Sequence, residues 1–175
     1  MSLFSRRAER TPLDGVDAVL ADLDGVVYAG PGPLPYAVES LTRAADTRRL
    51  GYITNNASRR DSAVAEHLRE LGLTATQPDD VVTSPQAAMR LLRERVEPGA
   101  TVLVVGGDGL VYELEKAGYR VTRSADDVPA AVVQGFAQDV GWLQLAEASY
   151  ALALPEEEGG IPWLATNTDL SLIHI

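Results

Sequence analysis

The sequence predicts an α/β fold built from parallel sheets with helices on both faces. Short apolar runs alternate with longer amphipathic stretches along most of the 175 residues, and this alternation is typical of parallel strands joined by helices. The same rhythm restarts after a break that contains Pro98 and Gly99, which indicates a domain boundary near Pro98. The expected division is a mobile tail over residues 1–15, a first unit over 16–97 and a second unit over 98–175.

The first unit contains three strand patterns and three helix patterns. Pro35 and Pro85 each suit the first turn of a helix, Ser84 suits the N-cap before Pro85, and Gly72 suits the end of the middle helix. His67 lies among charged residues of that middle helix, which is typical of a solvated side chain. The predicted elements are strands over 16–23, 50–54 and 81–83 and helices over 35–45, 61–71 and 85–96.

The second unit repeats the alternation. Its first strand, TVLVV, is apolar throughout, as expected for a strand buried on both faces of a parallel sheet. Gly118 marks the end of the helix that follows. The predicted elements are strands over 101–105, 131–134 and 161–165 and helices over 109–117 and 142–153.

Composition excludes several classes of function. The chain carries 15 Lys and Arg against 25 Asp and Glu, a formal net charge of -10, which disfavours a nucleic-acid partner. A small anionic substrate stays compatible, because a bound cation and backbone N–H groups can reverse the local field. The absence of cysteine excludes disulfides and thiolate chemistry and fits a cytoplasmic protein. No stretch approaches the roughly 20 apolar residues of a membrane span.

Two carboxylates follow the first strand. Asp22 and Asp24 are two residues apart, so in an extended chain both side chains point to one side. Such a pair repels unless a cation lies between the carboxylates, and Mg²⁺ prefers oxygen ligands of this kind. Gly25 lets the backbone turn directly after them. The segment therefore predicts a magnesium site, with a simple polar turn as the alternative.

A second polar group, Thr54, Asn55 and Asn56, follows the second strand. A hydroxyl and two amides can donate hydrogen bonds to phosphoryl oxygens, and a helix beginning near Arg60 adds its N-terminal N–H groups. The alternative is an ordinary strand-to-helix turn, capped by Ser58 or Asn56. Capping and phosphate binding are compatible.

Together these residues resemble the haloacid dehalogenase superfamily. The DLDG of residues 22–25 matches its first motif and the TN of residues 54–55 its second. The segments DLDGVVYAG, TNNASRR, VVTSPQAAMRLL, VLVVGG and WLATNTDLSL are similar to the NagD-like branch of p-nitrophenylphosphatases, phosphoglycolate phosphatases and glycerol-phosphate phosphatases. The resemblance spans about residues 16–172. It implies a Rossmann-like parallel-sheet core with an inserted α/β cap domain, both incomplete in this chain.

The resemblance also implies a mechanism. Asp22 would attack phosphorus and form an aspartyl-phosphate, and Asp24 would serve as acid and then as base. Mg²⁺ would be bound by the Asp22 carboxylate and the Asp24 backbone carbonyl. The substrate would be a small phosphorylated metabolite, and the cap could support a homodimer. The residues expected to hold the phosphoryl group are Gly25, Thr54, Asn55 and Asn56.

The end of the sequence departs from the family pattern. Residues 166–169 match its T-N-x-D turn, in which Asn167 and Asp169 would serve cap structure or substrate contact. The family then returns to the core and supplies a lysine and further metal-binding aspartates, which nothing after Asp169 provides. We therefore expect a truncated chain with little or no activity. The alternatives to a hydrolase are a non-catalytic module that binds Mg²⁺ or a phosphorylated ligand, and a phosphoacceptor domain. The aspartate pair and the cap-sized second unit favour hydrolysis over the signalling role of a phosphoacceptor.

Overall fold

A computed structural model describes residues 11–153 and 160–168. The strands are β1 (Ala18–Asp22), β2 (Tyr28–Ala29), β3 (Gly32–Pro33), β4 (Arg49–Thr54), β5 (Val81–Thr83), β6 (Thr101–Val105), β7 (Arg120–Thr122), β8 (Ala131–Gln134) and β9 (Trp163–Ala165). The α-helices are α1 (Ala37–Ala45), α2 (Asp61–Glu70), α3 (Ser84–Arg93), α4 (Asp108–Lys116) and α5 (Trp142–Leu152). No helix in these ranges is both long and apolar enough to cross a membrane.

The first sheet has the order β1-β4-β5, and all its strands are parallel. Ala21, Tyr52 and Val81 point to one face, where they pack with Val64 and Leu68 of α2. Helix α1 lies on the same face, because β1, β4 and β5 follow one another across the sheet in the order in which they occur along the chain. Right-handed crossovers in one direction place both helices on one side of the sheet.

The opposite face of this sheet is uncovered by the described residues. Leu20, Ile53 and Val82 point to it and are 68%, 43% and 47% exposed. The expectation of helices on both faces is therefore wrong for the first sheet. The strands nevertheless carry apolar residues on both faces, which is the pattern of a sheet covered on both sides.

The second sheet has the order β7-β6-β8-β9 and is also parallel throughout. Strand β7 lies on one side of β6, whereas β8 and β9 are added on the other side, so the direction across the sheet reverses after β7. The helices consequently lie on both faces, as predicted. Val102, Val104 and Val133 pack with α3 and α4, whereas Leu103 and Val132 pack with α5.

Helix α3 precedes Pro98 in the chain, yet it packs on the second sheet. Ala88, Met89 and Leu92 belong to the same apolar cluster as Val102 and Leu114. We call this sheet together with α3, α4 and α5 the second-sheet unit. The domain division at Pro98 stays a prediction.

Several predicted boundaries shift by a few residues. Thr83, not Ser84, is the N-cap of α3, because the Gln86 side chain accepts the Thr83 N–H at 3.1 Å. Helix α2 begins at Asp61 after Arg60 and has no side-chain cap. The sequence analysis missed the two-residue strands β2 and β3 and the short strand β7.

Candidate active site

Asp22 and Thr54 lie at the carboxyl ends of adjacent parallel strands. In the register of β1 and β4, Asp22 pairs with Ile53, the residue before Thr54. This placement was predicted from the two motifs and is confirmed. Open α/β sheets place their ligands at this edge.

A tight turn holds the two carboxylates. Leu23 is fully buried between the exposed Asp22 and Asp24, and its carbonyl accepts the N–H groups of Val26, Val27 and Tyr28 at 3.2, 2.9 and 3.2 Å. The Asp22 Oδ1 accepts the Leu23 N–H at 2.8 Å. Leu23 therefore anchors the turn while both aspartates face outward.

Gly25 makes this turn possible. Its φ is +78°, a value in the left-handed region that favours glycine, and its N–H donates to the Tyr28 carbonyl at 2.9 Å. Asp24 is thus presented at the start of a closed loop rather than along an extended chain.

Thr54 connects the two motifs. Its buried hydroxyl lies 3.5 Å from Asp24 Oδ2 and accepts the Asn56 N–H at 3.1 Å. Asn56 Oδ1 accepts both the N–H and the hydroxyl of Ser58, at 2.8 and 2.7 Å. The amide oxygen of Asn56 closes the turn, so its amide nitrogen is the group that can donate to a phosphoryl oxygen.

A cavity of about 490 Å³ opens beside Asp24. Both sheets contribute to its walls, since Phe136 and Gln138 follow β8 while the remaining residues follow β1 and β4 or lie on α2. The lining residues are Asp24, Tyr28, Gly30, Pro31, Asn56, Ala57, Ser58, Arg59, His67, Phe136 and Gln138. Among them, only Asp24 and Asn56 are predicted from the sequence as site residues.

His67 is one of the cavity residues that the sequence analysis placed in solvent. Its side chain is only 19% exposed, and its ring meets Tyr28 edge-on with centroids 5.0 Å apart. The prediction of a solvated histidine is therefore wrong. The available signal was its spacing of three residues from Val64 and four from Leu71, which places it near the buried stripe of α2.

Tyr28 is neutral at physiological pH. Burial raises the pKa of its phenol, and the negative charge of Asp24 raises it further, while Arg59 acts in the opposite direction. A protonated phenol can donate a hydrogen bond beside the two carboxylates.

The donor set fits a hard cation. Among residues 11–153 and 160–168, no group of three or more His, Cys, Asp and Glu is close enough to hold a metal ion. Asp22 offers a carboxylate and Asp24 a backbone carbonyl, and a Mg²⁺ site usually takes only one or two carboxylates before water and phosphate complete it.

The predicted cap residues divide between described and undescribed parts of the chain. Asn167 Nδ2 donates to the Asn55 carbonyl at 3.2 Å, so Asn167 lies beside the second motif. Asp169 lies outside the described residues.

Comparison with known proteins gives one family. The model of the family described as haloacid dehalogenase-like hydrolase matches residues 19–120. A D-glycerol 3-phosphate phosphatase of Mycobacterium tuberculosis is 46% identical over 156 residues, which are 89% of this chain and 42% of that protein. A glycerol-3-phosphate phosphatase of Gallus gallus is 44% identical over 110 residues, which are 62% of this chain and 35% of that protein.

Solved structures of proteins similar to this chain were also found. The glycerol phosphate phosphatase from Mycobacterium tuberculosis in complex with magnesium has a TM-score of 0.78 at 46% identity, covering 87% of this chain and 44% of that one. NagD from Escherichia coli K-12 has a TM-score of 0.71 at 28% identity, covering 87% and 57%. The chain thus spans about half, or less, of the length of these proteins.

Proposed function

Because the chain belongs to the family of haloacid dehalogenase-like hydrolases, we propose that it carries the nucleophile of a magnesium-dependent phosphatase acting on a small phosphorylated metabolite. The observation that carries the proposal is the convergence of Asp22, Asp24 and Thr54 at one sheet edge, where the Thr54 hydroxyl lies 3.5 Å from Asp24. The identity of 46% to a glycerol-phosphate phosphatase supports it.

The proposed reaction has two half-reactions. In the first, a carboxylate oxygen of Asp22 bonds to phosphorus, the bond from phosphorus to the ester oxygen breaks, and Asp24 gives its proton to the leaving alcohol. In the second, water attacks phosphorus, Asp24 takes the water proton, and the bond to Asp22 breaks. Splitting one displacement into two in this way lowers each barrier.

The transferring phosphoryl group would be held by donors of the second motif. These donors would be the Thr54 hydroxyl, which lies 3.5 Å from Asp24, the side-chain amides of Asn55 and Asn56, and the backbone beside Gly25. The N-terminal N–H groups of α2 point toward the same edge and favour negative charge. Donors fixed in advance cost no reorganisation during the reaction.

The Asp22 carboxylate and the Asp24 backbone carbonyl would hold the Mg²⁺, which leaves the Asp24 carboxyl group for proton transfer. The ion would neutralise charge on the phosphate and orient it. Solved structures of a 46% identical relative in complex with magnesium and with calcium support this assignment.

Hydrolysis of an ester is favoured over a phosphoacceptor domain by the cavity, because a phosphoacceptor needs no space for a leaving group. Here a cavity of about 490 Å³ adjoins Asp24 and is lined in part by Phe136 and Gln138, which follow β8. That volume suits a small metabolite.

We also propose a cytoplasmic location for the protein and a partner other than nucleic acid. The absence of cysteine supports a cytoplasmic location, and the net charge of -10 supports a partner other than nucleic acid.

A second copy of the chain is proposed to pack on α5 of the cap. Trp142, Leu143 and Tyr150 lie on one side of this helix and are 83%, 71% and 72% exposed, and exposed apolar patches of this kind mark interfaces. Leu143→Glu is expected to convert a dimer into a monomer in sedimentation equilibrium. A wild-type chain that sediments as a monomer at all concentrations would contradict the proposal.

Replacing Asp24 tests the acid and base role. We use an extended version, in which this chain is followed by the C-terminal part of the mycobacterial relative. Asp24→Asn is expected to slow both formation and decay of the phosphoenzyme by about 10²–10⁴, measured by rapid quench. Formation should suffer less with p-nitrophenyl phosphate than with an alkyl phosphate, because nitrophenolate leaves without a proton.

Asp79→Asn is the matched control, since Asp79 is an exposed carboxylate just before β5, at the opposite end of the strands. Equal slowing for both leaving groups would contradict the assignment of Asp24 as the acid.

A further inference from the structure

The segment of residues 55–59, which we call the phosphate loop, is packed directly against the second-sheet unit. An ideal Cβ built on Gly109 of α4 would lie 3.1 Å from backbone atoms of Ser58 and Arg59. One built on Gly135, after β8, would lie 3.4 Å from the Ala57 Cβ. Gly109 thus lets α4 approach the loop more closely than most side chains would allow, whereas the contact between Gly135 and Ala57 is close to an ordinary van der Waals distance.

Hydrogen bonds attach the start of the loop to the same unit. The Asn55 carbonyl accepts the Ser84 hydroxyl at 3.0 Å and the Asn167 amide at 3.2 Å. Ser84 begins α3 and Asn167 follows β9. Four different elements of the second-sheet unit therefore contact a loop of five residues.

Side chains extend this attachment to the first turn of α2. The Arg60 guanidinium lies 4.3 Å from the centre of the Tyr112 ring of α4. Lys116 of α4 lies 3.7 Å from the carboxylate of buried Asp61, which also accepts the Gln86 amide at 2.9 Å. The N-terminus of α2 is thus fixed by α3 and α4.

We propose that the second-sheet unit is a fixed support for the phosphate loop, and that Gly109 is a positioning residue for it. The inference rests on the proposed function for the role of the loop. Its physical basis is that hydrogen-bond donors accelerate a reaction only when they are held in place beforehand, and displacements of about 1 Å can cost 10²-fold in rate. The unit would then help to position the phosphoryl group by holding the phosphate loop in place, in addition to lining the cavity.

Gly109→Ala isolates this contact. Gly109 lies in the first turn of α4, where alanine is the better helix former, and its backbone does not have a positive φ. The added methyl group would meet carbonyl atoms of residues 58 and 59, which cannot rotate away as a side chain can. The substitution should therefore leave α4 intact and displace the loop.

Hydrogen exchange of the 175-residue chain measures the displacement without any need for turnover. Amides of residues 56–59 in Gly109→Ala are expected to exchange at least about tenfold faster than in the wild type, while those of β1 and β6 keep their rates. Gly141→Ala is the matched control, because Gly141 precedes the first turn of α5 and its Cβ would make an ordinary contact of 3.5 Å. Unchanged exchange in a folded Gly109→Ala, or equal acceleration in Gly141→Ala, would overturn the proposal.

If Gly109→Ala does not fold, a double variant tests whether the second-sheet unit supports the phosphate loop. Ser84→Ala with Asn167→Ala removes both donors to the Asn55 carbonyl without adding volume, and the same amides should exchange faster. Rates equal to those of the wild type would overturn the proposal.

The extended version separates this inference from the proposed function. Gly109→Ala there should lower kcat and weaken competitive inhibition by inorganic phosphate together, because one loop contacts both ligands. If the exchange result holds but no version hydrolyses esters, the proposed function fails and the support stands. If esters are hydrolysed while the exchange rates are unchanged, the support fails and the function stands.

Discussion

Asp22→Asn in the extended version is expected to lower turnover by at least about 10⁴-fold, the scale seen when a catalytic nucleophile is removed. An amide oxygen is a poor nucleophile and a poorer ligand for a cation. The fold should tolerate the change, since Asp22 is exposed and its one described hydrogen bond, accepted from the Leu23 N–H at 2.8 Å, can be accepted equally by an asparagine Oδ1.

The measurement is hydrolysis of p-nitrophenyl phosphate with excess Mg²⁺. Asp17→Asn is the matched control, because Asp17 is an exposed aspartate just before β1, at the opposite end of the strand from Asp22. Turnover of Asp22→Asn within tenfold of the control would show that another group attacks phosphorus.

The 175-residue chain alone is expected to be a very weak phosphatase compared with its extended version. Its single lysine, Lys116, is paired with Asp61 and Glu113 at 3.7 and 4.0 Å and so does not serve as the cation beside the phosphate. The described residues also offer no group of three or more metal ligands. Each missing charge-stabilising group costs about 10²–10³ in rate.

The first sheet predicts a second difference between the two chains. Leu20, Ile53 and Val82 form an exposed apolar face in the folded structure, and such faces favour aggregation, so the 175-residue chain should scatter more light than its extended version. Hydrolysis rates and light scattering of both chains, measured at equal concentration, test the expectation. Equal turnover would show that the 175-residue chain suffices for hydrolysis and would contradict this expectation.

Strands with strongly apolar sequences were predictable to the residue. Those over 81–83, 101–105 and 131–134 have the bounds expected from their runs of valine and alanine. The hairpin of β2 and β3 has two residues in each strand, which is too short for a periodic signal, and β7 has the mixed sequence RVT in place of an apolar run. The bare face of the first sheet was not predictable either, because it follows from strand order and not from local pattern.

The first elements of the site were predictable for a topological reason. Asp22 and Thr54 follow consecutive strands of a parallel sheet, whose carboxyl ends meet at one edge. Phe136 and Asn167 reach that edge from the second-sheet unit, and the bond from Asn167 to Asn55 joins residues 112 positions apart. Tertiary packing brings these residues together, so no local pattern announces Phe136, and Asn167 was expected only from the T-N-x-D turn of the family resemblance.

The central claim is that Asp22 bonds covalently to phosphorus, and chemical trapping tests it most directly. The extended version carrying Asp24→Asn, whose phosphoenzyme should decay slowly, is mixed with substrate, quenched and reduced with borohydride, which converts an aspartyl-phosphate into homoserine. Mass spectrometry of the peptides should then place homoserine at residue 22. Homoserine at any other position, or hydrolysis without any reducible intermediate, would contradict the account.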